Sequence, residues 1–94
     1  MFLLRKFRIL GHSMEPAIKY GDFVLVSSIP YYFSPPKEKD IIAFNYKDKI
    51  LIKRIIKIQD EELYLEGDNK NDSLDSRSFG KVKKSDILGR VIYK

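Results

Sequence analysis

Apolar residues in this chain come in short runs separated by charged or turn-forming residues, and no stretch keeps the three-to-four-residue spacing of an amphipathic helix. Asp22-Phe23-Val24-Leu25-Val26 follows Gly21 and reads as a buried strand. Asp40-Ile41-Ile42-Ala43-Phe44-Asn45-Tyr46 reads as the next. A polar turn, Lys47-Asp48-Lys49, joins it to Ile50-Leu51-Ile52-Lys53-Arg54-Ile55-Ile56-Lys57-Ile58, which pairs back as a long hairpin arm. A further turn at residues 59–62 leads into a short strand, Leu63-Tyr64-Leu65, and Ile87-Leu88-Gly89-Arg90-Val91-Ile92-Tyr93 closes the chain as a last strand. At the other end, Phe7-Arg8-Ile9-Leu10 reads as a first strand, with Phe7 and Ile9 on one face and the cations Arg5, Lys6 and Arg8 turned away.

Two segments break this alternation. Residues 27–39 carry Pro30, Pro35 and Pro36 among Tyr31, Tyr32 and Phe33 and read as a loop whose aromatics either cover a core edge or form an exposed apolar patch. Residues 67–78 are polar and open on Gly67-Asp68-Asn69, a strong turn signal. The pattern predicts an all-β fold, a small coiled antiparallel barrel or sandwich, with at most one or two helical turns before Pro16 and around Ser85-Asp86-Ile87.

Composition narrows this picture. At 94 residues the chain is expected to form one domain over residues 1–94, and 44% hydrophobic residues suffice for a small core. With no cysteine and one histidine, a disulfide framework, a thiolate zinc site and any site needing two imidazoles are excluded. The net charge of +5 admits an acidic partner such as nucleic acid, anionic lipid or an acidic peptide. The apolar start is too short and too charged to span a bilayer and lacks the layout of a signal peptide. It suits either a first strand or peripheral contact with an anionic membrane, the strand being the simpler reading.

Candidate chemistry begins at Leu10-Gly11-His12-Ser13-Met14-Glu15-Pro16. Gly11 frees the backbone to turn sharply or to approach another chain, and Pro16 stiffens the end of the segment, so Ser13 is displayed at a turn as a nucleophile would be. An ordinary serine in a Gly/Pro turn fits the stretch alone equally well. Lys53 is the second feature, a cation inside an almost unbroken Ile and Leu run. Buried, it is disposed to lose its charge and to serve as a general base; turned outward, it only snorkels. A serine and such a lysine together supply nucleophile and base without histidine. His12 is adjacent to Ser13 and so points to the opposite face of an extended chain, which suits the rim of a site better than activation of Ser13. Ser73, Asp75 and Arg77 lie two apart and share one side of an extended loop. They either support a neutral lysine or form a solvated loop with a weak local ion pair.

The segments Gly11-His12-Ser13-Met14-Glu15-Pro16, Gly21-Asp22-Phe23-Val24-Leu25-Val26, Lys53-Arg54, Gly67-Asp68-Asn69 with Ser73 and Asp75-Ser76-Arg77, Phe79-Gly80 and Gly89-Arg90-Val91 occur in an order that resembles the type I signal peptidase family of Ser-Lys serine proteases. The resemblance covers nearly the whole chain from Ile9. It implies Ser13 as nucleophile and Lys53 as general base, with Ser73 bonded to the lysine amine and Asp75 and Arg77 stiffening the site wall. It further implies Met14 lining the substrate-binding region and the Ser13 N–H as an oxyanion donor. Lysine at position 53 resembles the bacterial branch. The implied reaction is endopeptidase cleavage after small residues of Ala-x-Ala type, on a protein or peptide held extended along strand edges. No metal or organic cofactor is implied.

The chain also departs from the family. Gly11 stands where some relatives carry a second oxyanion hydroxyl, and Lys39 stands where glycine usually precedes the Asp-Ile-Ile strand. The span between residues 54 and 66 leaves no room for the extra β-domain of large bacterial members, and no membrane-spanning N-terminus is visible. The expected setting is therefore a minimal core associated with a membrane, or a cytoplasmic relative similar to the short proteases that mature nickel-type superoxide dismutase. LexA-like self-cleaving Ser-Lys proteases share the serine segment, but no linker to cleave is present and the Asp-Ser-Arg loop argues against them. A non-catalytic basic β-module fits the charge; because the cations are dispersed and lack a stacking-aromatic motif, nucleic acid is not the expected partner.

Overall fold

The computed structural model describes residues 3–71 and 76–94. Seven strands form one antiparallel sheet: β1 (Arg5–Arg8), β2 (Phe23–Ser27), β3 (Ile41–Tyr46), β4 (Lys49–Gln59), β5 (Glu62–Glu66), β6 (Val82–Lys83) and β7 (Ile87–Tyr93). Two short helices, α1 (Pro30–Phe33) and α2 (Ser76–Phe79), and one 3-10 turn (Lys84–Asp86) complete the described chain. The all-β expectation holds. The sheet runs β1-β2-β7-β3-β4-β5-β6 and is not closed into a barrel.

Hairpin chemistry sets the registers. β3 and β4 are joined through Lys47 and Asp48, both at positive φ (46° and 64°), with Tyr46 paired to Lys49. That is the conformation a two-residue hairpin turn requires. Lys49 thus belongs to the strand rather than to the turn the sequence suggested. β7 enters between β2 and β3, so the chain's last strand sits in the middle of the sheet. Gly89 permits this: a Cβ there would lie 2.8 Å from the Ser27 carbonyl carbon and oxygen.

β3 separates two cores. Ile42 and Phe44 pack with Ile55, Leu63, Leu65, Val82 and Ile87. Ile41 and Ala43, on the opposite face, pack with Met14, Ile18, Val24 and Val26. Both faces of β3 are covered, which is why its run of apolar residues is continuous rather than alternating. Phe7 and Ile9 pack together against the second core, as their shared parity predicts.

The proline-rich segment divides between the two expected outcomes. Tyr31 packs against the first core and donates its hydroxyl to Asp40 Oδ2 at 2.8 Å. Burial and that carboxylate hold the phenol protonated well above its ordinary value. Tyr32 and Phe33 are exposed, Phe33 at 86%. The segment is also not wholly loop, since Pro30, with its φ already fixed, starts the turn of α1. Neither α2 nor β6 is foreshadowed by the apolar pattern: each is too short to show a period.

Candidate active site

Past β1 the chain stays tied to the lead-in of β2, because Ile9 donates to the Asp22 carbonyl at 2.8 Å and Gly21 donates to the Ile9 carbonyl at 2.7 Å. It then rounds Gly11 into a tight turn. Glu15 donates to the His12 carbonyl (3.2 Å) and Ile18 to the Met14 carbonyl (3.0 Å). The turn is anchored from below by Met14, only 2% exposed in the second core, and by Ile18. Ser13 is left half-exposed above its buried neighbour. Of the two readings made from sequence, the bend at Gly11 is present but the close approach to another chain is not. A Cβ there would touch nothing within 4 Å, and its φ is not left-handed. What the glycine contributes is an open wall in the cleft beside Ser13.

Lys53 enters from β4, opposite Ile42 in the register. It is 4% exposed, and its Nζ donates to Ser13 Oγ at 2.8 Å. Two residues forty positions apart are therefore in hydrogen-bond contact with the lysine inside the protein. They line a cleft of about 340 Å³ bounded by residues 7–11 on one side and 50–53 on the other, with Met14 at its floor.

The next residue on β4 does something different. Arg54 forms a bidentate pair with Asp68, Nε to Oδ1 and Nη2 to Oδ2, both 2.8 Å, and its Nη1 donates to the Lys39 carbonyl at 2.9 Å. The hydrogen bonds from Arg54 hold the Asp68 carboxyl below its ordinary value, and Asp68 in turn raises the guanidinium. Lys39 has φ +78°, a left-handed backbone that glycine adopts without strain.

The Asp68 loop also reaches the serine turn. Asn69 N–H donates to the Ser13 carbonyl at 2.8 Å, and its side-chain Nδ2 donates to the His12 carbonyl at 3.1 Å. His12 points away from Ser13 Oγ: its Nδ1 donates to Glu15 Oε2 at 2.8 Å and its ring stacks on Tyr20 at 5.3 Å. That bond, with a second from the Tyr20 N–H, lowers the Glu15 carboxyl. His12 is exposed.

Of the sequence-predicted residues, Ser13, Lys53 and Met14 come together. Ser73 and Asp75 lie outside the described residues. Arg77 lies on α2 and is exposed. Sequence reasoning gave no role to Arg54, Asp68, Asn69 or Ser76. Ser76 is buried and its Oγ accepts from Leu65 N–H at 2.8 Å, fixing α2 to β5. The signal for Asp68 and Asn69 was present, since Gly67-Asp68-Asn69 marked a tight turn, but a turn motif does not say what the turn bonds to.

The amino-acid sequence matches one known family along its length. The profile of the family described as "Signal peptidase, peptidase S26" matches residues 1–59 and 57–94. The chain belongs to that family. Among similar proteins is the signal peptidase I of Leptolyngbya laminosa, 26% identical over 131 aligned residues that cover 89% of this chain and 64% of that protein. The signal peptidase I of Aquifex aeolicus is 40% identical over 58 residues, 58% of this chain and 23% of its own length. The probable signal peptidase I-1 of Synechocystis is 23% identical over 133 residues, 92% of this chain and 68% of its own. All three relatives are bacterial. The chain spans less than two thirds of the length of the first two. Among the described residues no helix is long and apolar enough to cross a membrane.

Proposed function

We propose that this chain carries the catalytic core of a Ser-Lys serine endopeptidase of signal-peptidase type. The observation that carries the reading is the 2.8 Å contact between Ser13 Oγ and the Nζ of a lysine that is 4% exposed. Burial opposes the charged form of an amine, and a general base must be the free amine. Ser13 Oγ attacks the scissile carbonyl carbon as its proton passes to Lys53 Nζ. The tetrahedral intermediate then collapses, the C–N bond breaks, and Lys53 returns the proton to the leaving amine. Water, deprotonated by Lys53 Nζ, attacks the acyl-enzyme, the ester C–O bond breaks, and Lys53 returns that proton to Ser13 Oγ. The Ser13 N–H is the proposed oxyanion donor.

The strand edges suit an extended peptide. Among the described residues, 49–53 of β4 pair with β3 and not with β5, whose pairing begins at Arg54, and β1 pairs with β2 alone. Both strands beside the cleft thus keep one edge on which substrate backbone can add. Cleavage after small residues of Ala-x-Ala type is proposed on the family likeness. The supporting roles proposed for Ser73, Asp75 and Arg77 rest on the same likeness. Peripheral contact with an anionic membrane has its best basis in β1, where Arg5, Lys6 and Arg8 are exposed; sedimentation with anionic but not neutral vesicles tests it.

The deciding experiment mixes the purified protein, with Ser13→Ala and Lys53→Ala as controls, with a bacterial preprotein and an Ala-x-Ala peptide in detergent, and reads the products by mass spectrometry. One cut after the small residue, absent from both variants, is the expected result. A cut that survives in Ser13→Ala overturns the reading.

A further inference from the structure

The loop after β5 is tied to the serine turn. Asn69 makes two hydrogen bonds to the serine turn, and they fall on consecutive carbonyls, those of His12 and Ser13. The first has a consequence for chemistry. A peptide unit is planar, and in the trans form its C=O and N–H point in opposite directions. The peptide between His12 and Ser13 is trans. Whatever fixes the His12 carbonyl therefore also fixes the direction of the Ser13 N–H at the far side of the same plane. The His12 carbonyl is held by Asn69 Nδ2 at 3.1 Å and by Glu15 N–H at 3.2 Å. Donation to a carbonyl also polarises the amide and strengthens its own N–H as a donor.

We propose that Asn69 is a positioning residue for the oxyanion donor: its side-chain amide sets the plane of the His12–Ser13 peptide and so aims the Ser13 N–H into the cleft. The inference rests on the peptidase reading above and adds to it a residue that touches neither substrate nor nucleophile oxygen. Asn69 is itself held in place, since the preceding Asp68 is locked to Arg54 by two 2.8 Å bonds. Arg54 adjoins Lys53 on β4. One strand thereby grips Ser13 twice, directly at Oγ through Lys53 and indirectly at the backbone through Arg54, Asp68 and Asn69. A shift of β4 carries base and oxyanion donor together, so their relative geometry is preserved.

The test uses Asn69→Asp and Asn69→Ala. The aspartate has nearly the same shape and keeps the backbone N–H that bonds the Ser13 carbonyl, but its carboxylate cannot donate to the His12 carbonyl. Removing an oxyanion donor outright costs on the order of 10²–10³ in kcat, so misaiming one is expected to cost about ten- to a hundredfold. KM should stay within about threefold, the signature of an interaction made in the transition state. A peptide aldehyde ending in a small residue forms a tetrahedral adduct with Ser13, and its inhibition constant should weaken in proportion to the loss in kcat/KM. Affinity for an uncleaved peptide, measured by anisotropy in a Ser13→Ala background, should not change. The clamp is overturned if both variants keep kcat within about threefold, or if peptide affinity falls as far as kcat, which would mean that the loop only supports the fold. A Ser13→Ala protein that still cleaves would overturn the peptidase reading and the clamp together, an outcome separable from failure of the clamp alone.

Discussion

The two halves of β4 make opposite use of the same kind of sequence. Residues 49–53 pair with β3 and leave their other edge facing the cleft, whereas from Arg54 onward the strand pairs with β5. The boundary falls between two adjacent cations. Lys53 is buried and bonded to the Ser13 hydroxyl, and withdrawing an amine from water costs stability. Arg54 is partly exposed, meets a carboxylate bidentately, and holds a loop. A cation placed where it stabilises least is the one to suspect of chemistry, and its neighbour shows what a structural cation looks like in the same strand.

The sharpest way to break that contrast is at Lys53 itself. Lys53→Met keeps the volume and removes the amine, so activity should fall roughly 10⁴-fold or more, as when a triad base is lost. Thermal stability should stay the same or rise, because an amine leaves an apolar site. A variant that loses activity only because it melts would make Lys53 structural. In the other half, Ile55 is fully buried in the first core. Ile55→Ala should cost about 2–5 kcal/mol in denaturant unfolding, while kcat per folded molecule changes little.

Apart from β6, the strands and hairpin turns were legible because each is written in a few consecutive residues. Ile41 through Phe44 read as a strand, and Lys47-Asp48-Lys49 as the polar turn that follows it. The contact between Ser13 and Lys53 was not legible in that way. No periodicity links positions forty apart, and only the order of motifs along the chain pointed to it. Less legible still was the Asp68 loop. Polar turn residues read alike whether they face water or donate to a neighbouring carbonyl, so Asn69 and Arg54 became visible only when their partners were in place. Gly11 erred in the other direction: its residue type admitted a close approach to another chain that its surroundings do not show.

Arg54 and Asp68 give the intermediate effect. A double-mutant cycle through Arg54→Met and Asp68→Asn should return a coupling of about 1–3 kcal/mol, the range for hydrogen bonds to charged groups. The pH dependence has a definite sign. The Asp68 carboxyl is lowered in the folded protein by its bonds to Arg54. Its contribution is therefore complete above the unfolded carboxylate value of about 4 and is lost as pH falls through the lower folded value. Acid unfolding should be less steep in Asp68→Asn than in the parent. Equal steepness would detach this pair from stability and with it the structural half of the contrast.

The smallest expected effect lies at Ile50, in the half of β4 that faces the cleft. Its side chain is 39% exposed and borders the cleft rather than either core. Truncation to alanine removes little buried area, so stability should change by about 0.5 kcal/mol or less. If residues 49–53 are the edge on which substrate lies, the same truncation should raise KM about two- to fivefold with kcat unchanged, since contact with bound peptide is lost equally in ground and transition states. The pairing of Ile50→Ala with Ile55→Ala makes the comparison quantitative. Two isoleucines five positions apart on one strand should fail in different assays, one in binding and the other in unfolding. An Ile50→Ala protein that loses stability without loss in KM would place the cleft-facing half of β4 with the core, and the substrate edge would then have to be sought on β1 alone.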